Sequence, residues 1–208
     1  MNKTDRKRKT KDPCERCFLH RDLCICEFIP RLDLRTRVCL VIHAKELKRT
    51  TNTGRLAIEA LVNSEMRVRG TGTGRTEALD LSDLLEPRYR PVMFYPADDA
   101  LELNQDFVDA DLRPILLIVP DGNWRQASKV HVRHKELASV PRVKISTPNL
   151  AAHHLRVEET EAGMATLEAI AKALAIIEGD VAAAPLKNLF EMKLRRTLQG
   201  RGVKLPSL

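Results

Sequence analysis

At 208 residues with 43% apolar side chains, the chain can bury one α/β core and a small additional unit, but not two large domains. Its 35 Lys and Arg against 28 Asp and Glu leave a net charge of +7, which favours a polyanionic partner. Apolar runs such as 115–119 are far too short to cross a bilayer, and the polar start carries no apolar signal region, so a cytoplasmic protein with no membrane role is expected.

Residues 1–13 hold Lys3, Arg6, Lys7, Arg8, Lys9 and Lys11 with almost nothing apolar, the pattern of a flexible basic tail. Residues 14–30 follow as a cysteine segment, with Cys14, Cys17, Cys24 and Cys26 spaced C-x2-C-x6-C-x-C. In a reducing compartment such a cluster points to metal rather than to disulfides, and four sulfurs from two tight turns suit a closed, tetrahedral, structural zinc site. An iron–sulfur cluster is the competing reading. The fifth cysteine, Cys39, lies within an apolar run and reads as a small core residue.

From residue 31 to 208 short apolar runs alternate with longer amphipathic stretches. Strands are expected at 38–42, 66–69, 92–95, 115–119 and 143–146, and helices at 52–63, 76–85, 123–137, 162–178 and 185–199. In the fourth helix Leu167, Ile170, Leu174 and Ile177 recur at spacings of three and four, which makes one apolar face. Strands joined by helical crossovers make a mostly parallel twisted sheet with helices on both faces, whose ligands bind beyond the carboxyl ends of the strands.

The segment 114–129, PILLIVPDGNWRQASK, is a buried strand, a turn with Asp121 and Gly122, and a helix opening with Trp124, the chain's only tryptophan. A carboxylate there can act as a base or grip a ligand, and Gly122 permits close backbone approach. Equally, Asp121 or Asn123 can simply cap the helix and Trp124 can pack on the sheet. Arg125 and Lys129 lie along that helix, where they can steer phosphates or form a solvated face. The Gly70, Gly72, Gly74 run lacks the ending of a phosphate-binding loop, and His43 at a strand end reads as structural.

Here the chain resembles the DTW-domain family, named for an Asp-x-Thr-Trp motif in this strand–turn–helix setting. Asp121 and Trp124 match, and Asn123 stands where the family has threonine. Further matches are the cysteine segment, His43 and Glu46, Asn52, Thr53 and Gly54, Tyr95, Pro96, Ala97 and Ala100, Leu155 and Arg156, and the run from Thr166 through Glu168 to Ala169. The resemblance implies a SPOUT-like knotted domain that binds S-adenosylmethionine and transfers its 3-amino-3-carboxypropyl group to N3 of a tRNA uridine, releasing methylthioadenosine. It implies Asp121, Thr166 and Glu168 as catalytic residues. Asp121, Gly122, Trp124, Pro96 and Leu155 fall on the donor side, and Arg125, Lys129, Arg156, Asn52 and Thr53 on the RNA side. The partners are then tRNA and S-adenosylmethionine, with no obligate protein partner evident. Two other readings fit the same sequence, an RNA methyltransferase on the same scaffold and a non-enzymatic zinc-knuckle RNA-binding module.

Overall fold

A computed structural model describes residues 12–70, 79–146 and 164–203. In chain order its elements are β1 (Arg37–His43), α1 (Gly54–Ala60), β2 (Ser64–Arg69), β3 (Arg90–Phe94), β4 (Leu101–Glu102) and α2 (Gln105–Asp109). They continue with β5 (Ile115–Asp121), α3 (Trp124–Ala127), α4 (Lys129–Arg133), β6 (Arg142–Lys144), α5 (Thr166–Ile177) and α6 (Asp180–Gly200). The six strands form one sheet in the order β2-β1-β5-β3-β6-β4, and they pair in parallel throughout. All their carboxyl ends therefore lie along one edge.

The central strands β1 and β5 are apolar along their middles, Val38–Ile42 and Ile115–Val119, because both of their faces are covered there. Val38, Leu40, Ile42, Ile115, Leu117 and Val119 face a core built with α1, α5 and α6. Cys39, Val41, Leu116 and Ile118 face the opposite way, against Leu81, Leu84, Val130, Leu137 and Val140. Burial pushes the Cys39 thiol up to about 12, as expected of an inert core cysteine. On α5, Leu167, Ile170 and Leu174 are fully buried and Ile177 packs at the core's margin, which fits the face read from their spacing.

Several elements differ from the sequence-based expectation. Within the described part of the helix expected at 76–85, the chain makes only a 3-10 turn at Ser82–Leu84. Asp80 accepts hydrogen bonds from the backbone N–H and hydroxyl of Ser82 at 2.9 and 2.8 Å, a local turn that competes with helix. Leu81 and Leu84 are nevertheless fully buried. The helix expected at 123–137 is broken into α3, α4 and a 3-10 turn. Ser128 bonds back to the Arg125 carbonyl at the first break, and the β-branched Val130 and Val132 favour helix weakly.

The last helix starts earlier, at Asp180, and keeps Pro185 inside it. The bond that proline removes would go to the carbonyl of Val181, whose residue is solvent-exposed, so its loss is tolerated. Strand β4 and helix α2 lie outside the sequence-based expectation. With two residues β4 carries no periodicity, whereas α2 has a legible start in Asn104, whose side chain accepts from the Phe107 N–H at 2.8 Å. Residues 147–163 lie outside the described residues, as do residues 71–78 of the glycine segment. No helix among the described residues is long and apolar enough to cross a membrane.

The two-faced burial of β5 gives a direct check. Leu117→Ala is expected to lower unfolding free energy in a urea titration by about 2–5 kcal/mol, while Leu112→Ala, at an exposed position, changes it by about 0.5 kcal/mol or less.

Candidate functional site

β5 ends at Asp121, which is paired in register with Ile42 of β1. Its carboxylate is 6% exposed and is gripped from two sides. Oδ2 accepts from Nδ2 of Asn52 at 2.5 Å, and Oδ1 accepts from the hydroxyl of Thr166 at 2.7 Å. Asn52 also accepts from the Arg55 N–H through Oδ1, which caps α1 from one residue ahead of its N-cap. Thr53 supplies the hydroxyl that accepts from the Leu167 N–H at 3.1 Å, satisfying a free donor in the first turn of α5.

Gly54 sits between these groups. A Cβ there would come within 2.9 Å of Leu40 and 3.2 Å of the Asp121 carboxylate, so a side chain would force the joint apart. Three segments far apart in sequence, 52–54, 121 and 166–167, thus close on one carboxylate at the carboxyl edge of the sheet. The structure brings together Asp121, Thr166, Asn52 and Thr53. Asn52 and Thr53 are buried and aim their polar atoms inward, at Asp121 and α5.

The turn after Asp121 is equally specified. Gly122 has φ of +154°, and a Cβ there would lie 2.8 Å from Oε1 of Gln126. Asn123 accepts from the Gln126 N–H, and the Gln126 side chain accepts from the Asn123 N–H, both at 2.9 Å. This reciprocal capping box starts α3, so Asn123 performs the capping that a threonine can also perform at that position. The capping by Asn123 agrees with one of the two roles read for this turn, and the Asn-x-x-Gln spacing is the signal that could have found the Gln126 half of the box. The buried guanidinium of Arg69, from the end of β2, donates to the Gln126 carbonyl. Nothing in the sequence singles it out, since its only mark is a terminal strand position.

The remaining candidates lie around this joint. Trp124 opens α3, and Arg125 and Lys129 are on α3 and α4. Pro96 stands just after β3, next to Tyr95, whose phenol is pushed upward by burial and bonded to Ser128. Glu168 lies in the first turn of α5 with its carboxylate 3.1 Å from the Lys172 ammonium. Leu155 and Arg156 fall outside the described residues. His43 accepts from the Lys45 N–H, and burial together with Arg69 and Lys45 holds its pKa below the ordinary histidine value, which suits the structural role read from its position.

The second constellation is the cysteine cluster. The sulfurs of Cys14, Cys17, Cys24 and Cys26 all lie within 4.8 Å of one another, with three pairs at 3.6, 3.6 and 3.8 Å. A tetrahedral zinc with Zn–S bonds of about 2.3 Å places its sulfurs about 3.8 Å apart, so the four residues form a cluster suited to one such ion rather than to a larger multi-iron group. Backbone N–H groups of Cys17 and Arg16 point at the Cys14 sulfur and, with its neighbouring thiols, bring that group down to about 6, so it ionises readily. Burial pushes Cys17 and Cys26 the other way.

The cluster is packed into the domain. Cys17, Leu19 and Ile25 belong to the main core. Arg16 pairs with Glu59 of α1 at 2.8 Å, and Phe18, at φ +57°, lies beneath the Arg55 guanidinium at 4.4 Å. Lys193 of α6 is fully buried and donates to the Cys17 carbonyl at 2.6 Å; burial lowers its pKa to about 8 against the upward pull of the nearby thiols.

A model of the DTW domain matches residues 11–198. The chain is 25% identical over 194 residues to the tRNA-uridine aminocarboxypropyltransferase 2 of Macaca fascicularis, covering 92% of this chain and 62% of that protein. It is 24% identical over 189 residues to the protein of that name from Mus musculus, covering 89% and 61%. The Drosophila melanogaster protein of the same name is 25% identical over 173 residues, covering 81% and 67%. The chain thus spans about three fifths of the length of the first two curated relatives it matches. No solved structure matches it at a significant level.

The turn makes its own prediction. Asn123→Ala is expected to lower stability by about 1 kcal/mol, and Asn123→Thr to leave it within about 0.5 kcal/mol, when thermal unfolding of the variants is compared. Gly122→Ala, which meets both the strained φ and Gln126, is expected to cost more than either.

Proposed function

Because the chain belongs to the DTW-domain family, we propose that it is a tRNA-modifying enzyme that transfers the 3-amino-3-carboxypropyl group of S-adenosylmethionine to N3 of a tRNA uridine. The bond formed is between N3 and the terminal carbon of the amino-acid arm, the bond broken joins that carbon to sulfur, and methylthioadenosine leaves with the electron pair. The names borne by the similar proteins support this reading, and the observation that carries it is the convergence of Asn52 and Thr166 on Asp121 at the carboxyl edge of a parallel sheet. Ligands of such sheets bind beyond that edge.

A sulfonium is already a good leaving group, so the protein's contribution is alignment, which can supply up to about 7–11 kcal/mol. The joint suits that task. Two neutral donors fix the orientation of the Asp121 carboxylate, so it meets a ligand without first reorganising. The N3 proton must leave before that nitrogen is nucleophilic, and Asp121 is the group proposed to accept it. Glu168, engaged by Lys172, is proposed to support the donor side with Thr166. Gly122, Trp124, Pro96 and Leu155 complete the donor side, while Arg125, Lys129 and Arg156 meet RNA phosphates. In this reading Asn52 serves the RNA side through the carboxylate it holds, and Thr53 through the start of α5 that it ties down.

The domain is proposed to be SPOUT-like, with a knotted parallel sheet. The four cysteines hold zinc, which closes its coordination with sulfur and supplies structure rather than chemistry. A cytoplasmic setting keeps such thiols reduced.

The test supplies S-adenosylmethionine labelled on the methyl or on the carboxyl carbon, followed by nucleoside mass analysis of tRNA. Carboxyl label is expected to enter uridine, and Asp121→Ala to lower the rate by about 10²–10⁴-fold. Methyl label alone in the product would identify a methyltransferase. Unaltered tRNA binding with no product, and with Asp121→Ala behaving as the parent protein does, would identify a binding platform.

A further inference from the structure

Most of α6 packs on α5, but its last turns lie against the cysteine segment. Lys193 reaches into that contact fully buried, with its ammonium 2.6 Å from the Cys17 carbonyl. Seven residues on, a Cβ at Gly200 would sit 3.3 Å from the Leu23 side chain, so the helix meets the segment at both positions. Among the described residues, no acidic side chain pairs with Lys193. A buried ammonium without an opposite charge is costly, and one hydrogen bond to a carbonyl does not offset it.

The reading of the cysteine cluster as a zinc site supplies the missing charge. Four thiolates and one Zn²⁺ carry a net charge of −2, held in a partly buried setting where such a charge also needs compensation. Lys193 is the fully buried cation next to a ligand of this cluster. We propose that Lys193 is the built-in counter-cation of the four-cysteine metal centre, so that seating of the C-terminal half of α6 depends on metal occupancy.

The dependence has a definite sign. With metal bound, the ammonium and the anionic centre stabilise each other. When the metal is removed the anionic centre that the ammonium faces is lost, and the buried charge is left without its counterpart. A neutral, isosteric side chain at this position is therefore worse than lysine in the loaded protein and no worse in the stripped one. Groups just outside a metal's ligands change metal affinity by about 10–100-fold when removed, which sets the scale of the effect.

The experiment uses the full chain loaded with zinc, compared as parent protein, Lys193→Met and Lys193→Arg. Zinc loss to a competing chelator is followed, together with the melting temperature before and after chelation. Lys193→Met is expected to lose zinc about 10–100-fold more readily and to show a smaller chelator-induced drop in melting temperature. Lys193→Arg, which keeps the cation, is expected to stay close to the parent. Hydrogen exchange on the unaltered protein needs no variant. Chelation is expected to release protection in the second half of α6 before the sheet. Equal zinc retention in the Met variant, equal loss in the Met and Arg variants, or α6 protection unchanged by chelation would each overturn the proposal. Failure of the parent chain to take up zinc would overturn the metal reading as well, so the two failures are distinguishable.

Discussion

The fixed carboxylate of Asp121 is the constraint on which the rest of the molecule depends. Burying an acidic side chain at the end of an apolar strand is unfavourable unless donors replace the water it loses. Asn52 and Thr166 are such donors, and each is anchored beside the carboxylate. Asn52 caps α1, and the neighbour of Thr166, Leu167, is tied to Thr53. Meeting the needs of one carboxylate therefore fixes the starts of α1 and α5 relative to the end of β5. The glycine at 54 is part of the same requirement, because a side chain there would press on both Leu40 and the carboxylate.

The cysteine segment acts on this joint from behind. It grips α1 through Arg16 with Glu59 and Phe18 with Arg55, and it grips α6 through Lys193. Because Asn52 leads into α1, and α5 packs on both α1 and α6, the zinc proposed for this cluster would shape a site whose chemistry it does not enter. An ion with all four positions taken by sulfur has no place for substrate, so its contribution is rigidity.

Much of this is legible in the residues. The five longer strands follow from their β-branched runs, the buried face of α5 from its three-and-four spacing, and the metal cluster from its C-x2-C-x6-C-x-C pattern. What escapes is mostly set by local polar competition. Asp80 turns one expected helix into a short turn while leaving Leu81 and Leu84 in the core, and Ser128 splits another. The candidate site is legible as a set of segments, through resemblance, but not as a geometry. No periodicity announces that Asn52 and Thr166 meet on Asp121, since that contact spans 69 residues one way and 45 the other. Arg69 and Lys193 are invisible for the same reason, because their burial is a tertiary fact.

The central claim is that Asp121 and Thr166 work as one unit. A double-mutant cycle measures this directly, comparing the turnover of tRNA and S-adenosylmethionine by Asp121→Asn, Thr166→Val and the double variant. The account predicts strong non-additivity, with the second substitution adding little once the first is made and a coupling of about 1 kcal/mol or more. Losses that simply multiply would contradict it.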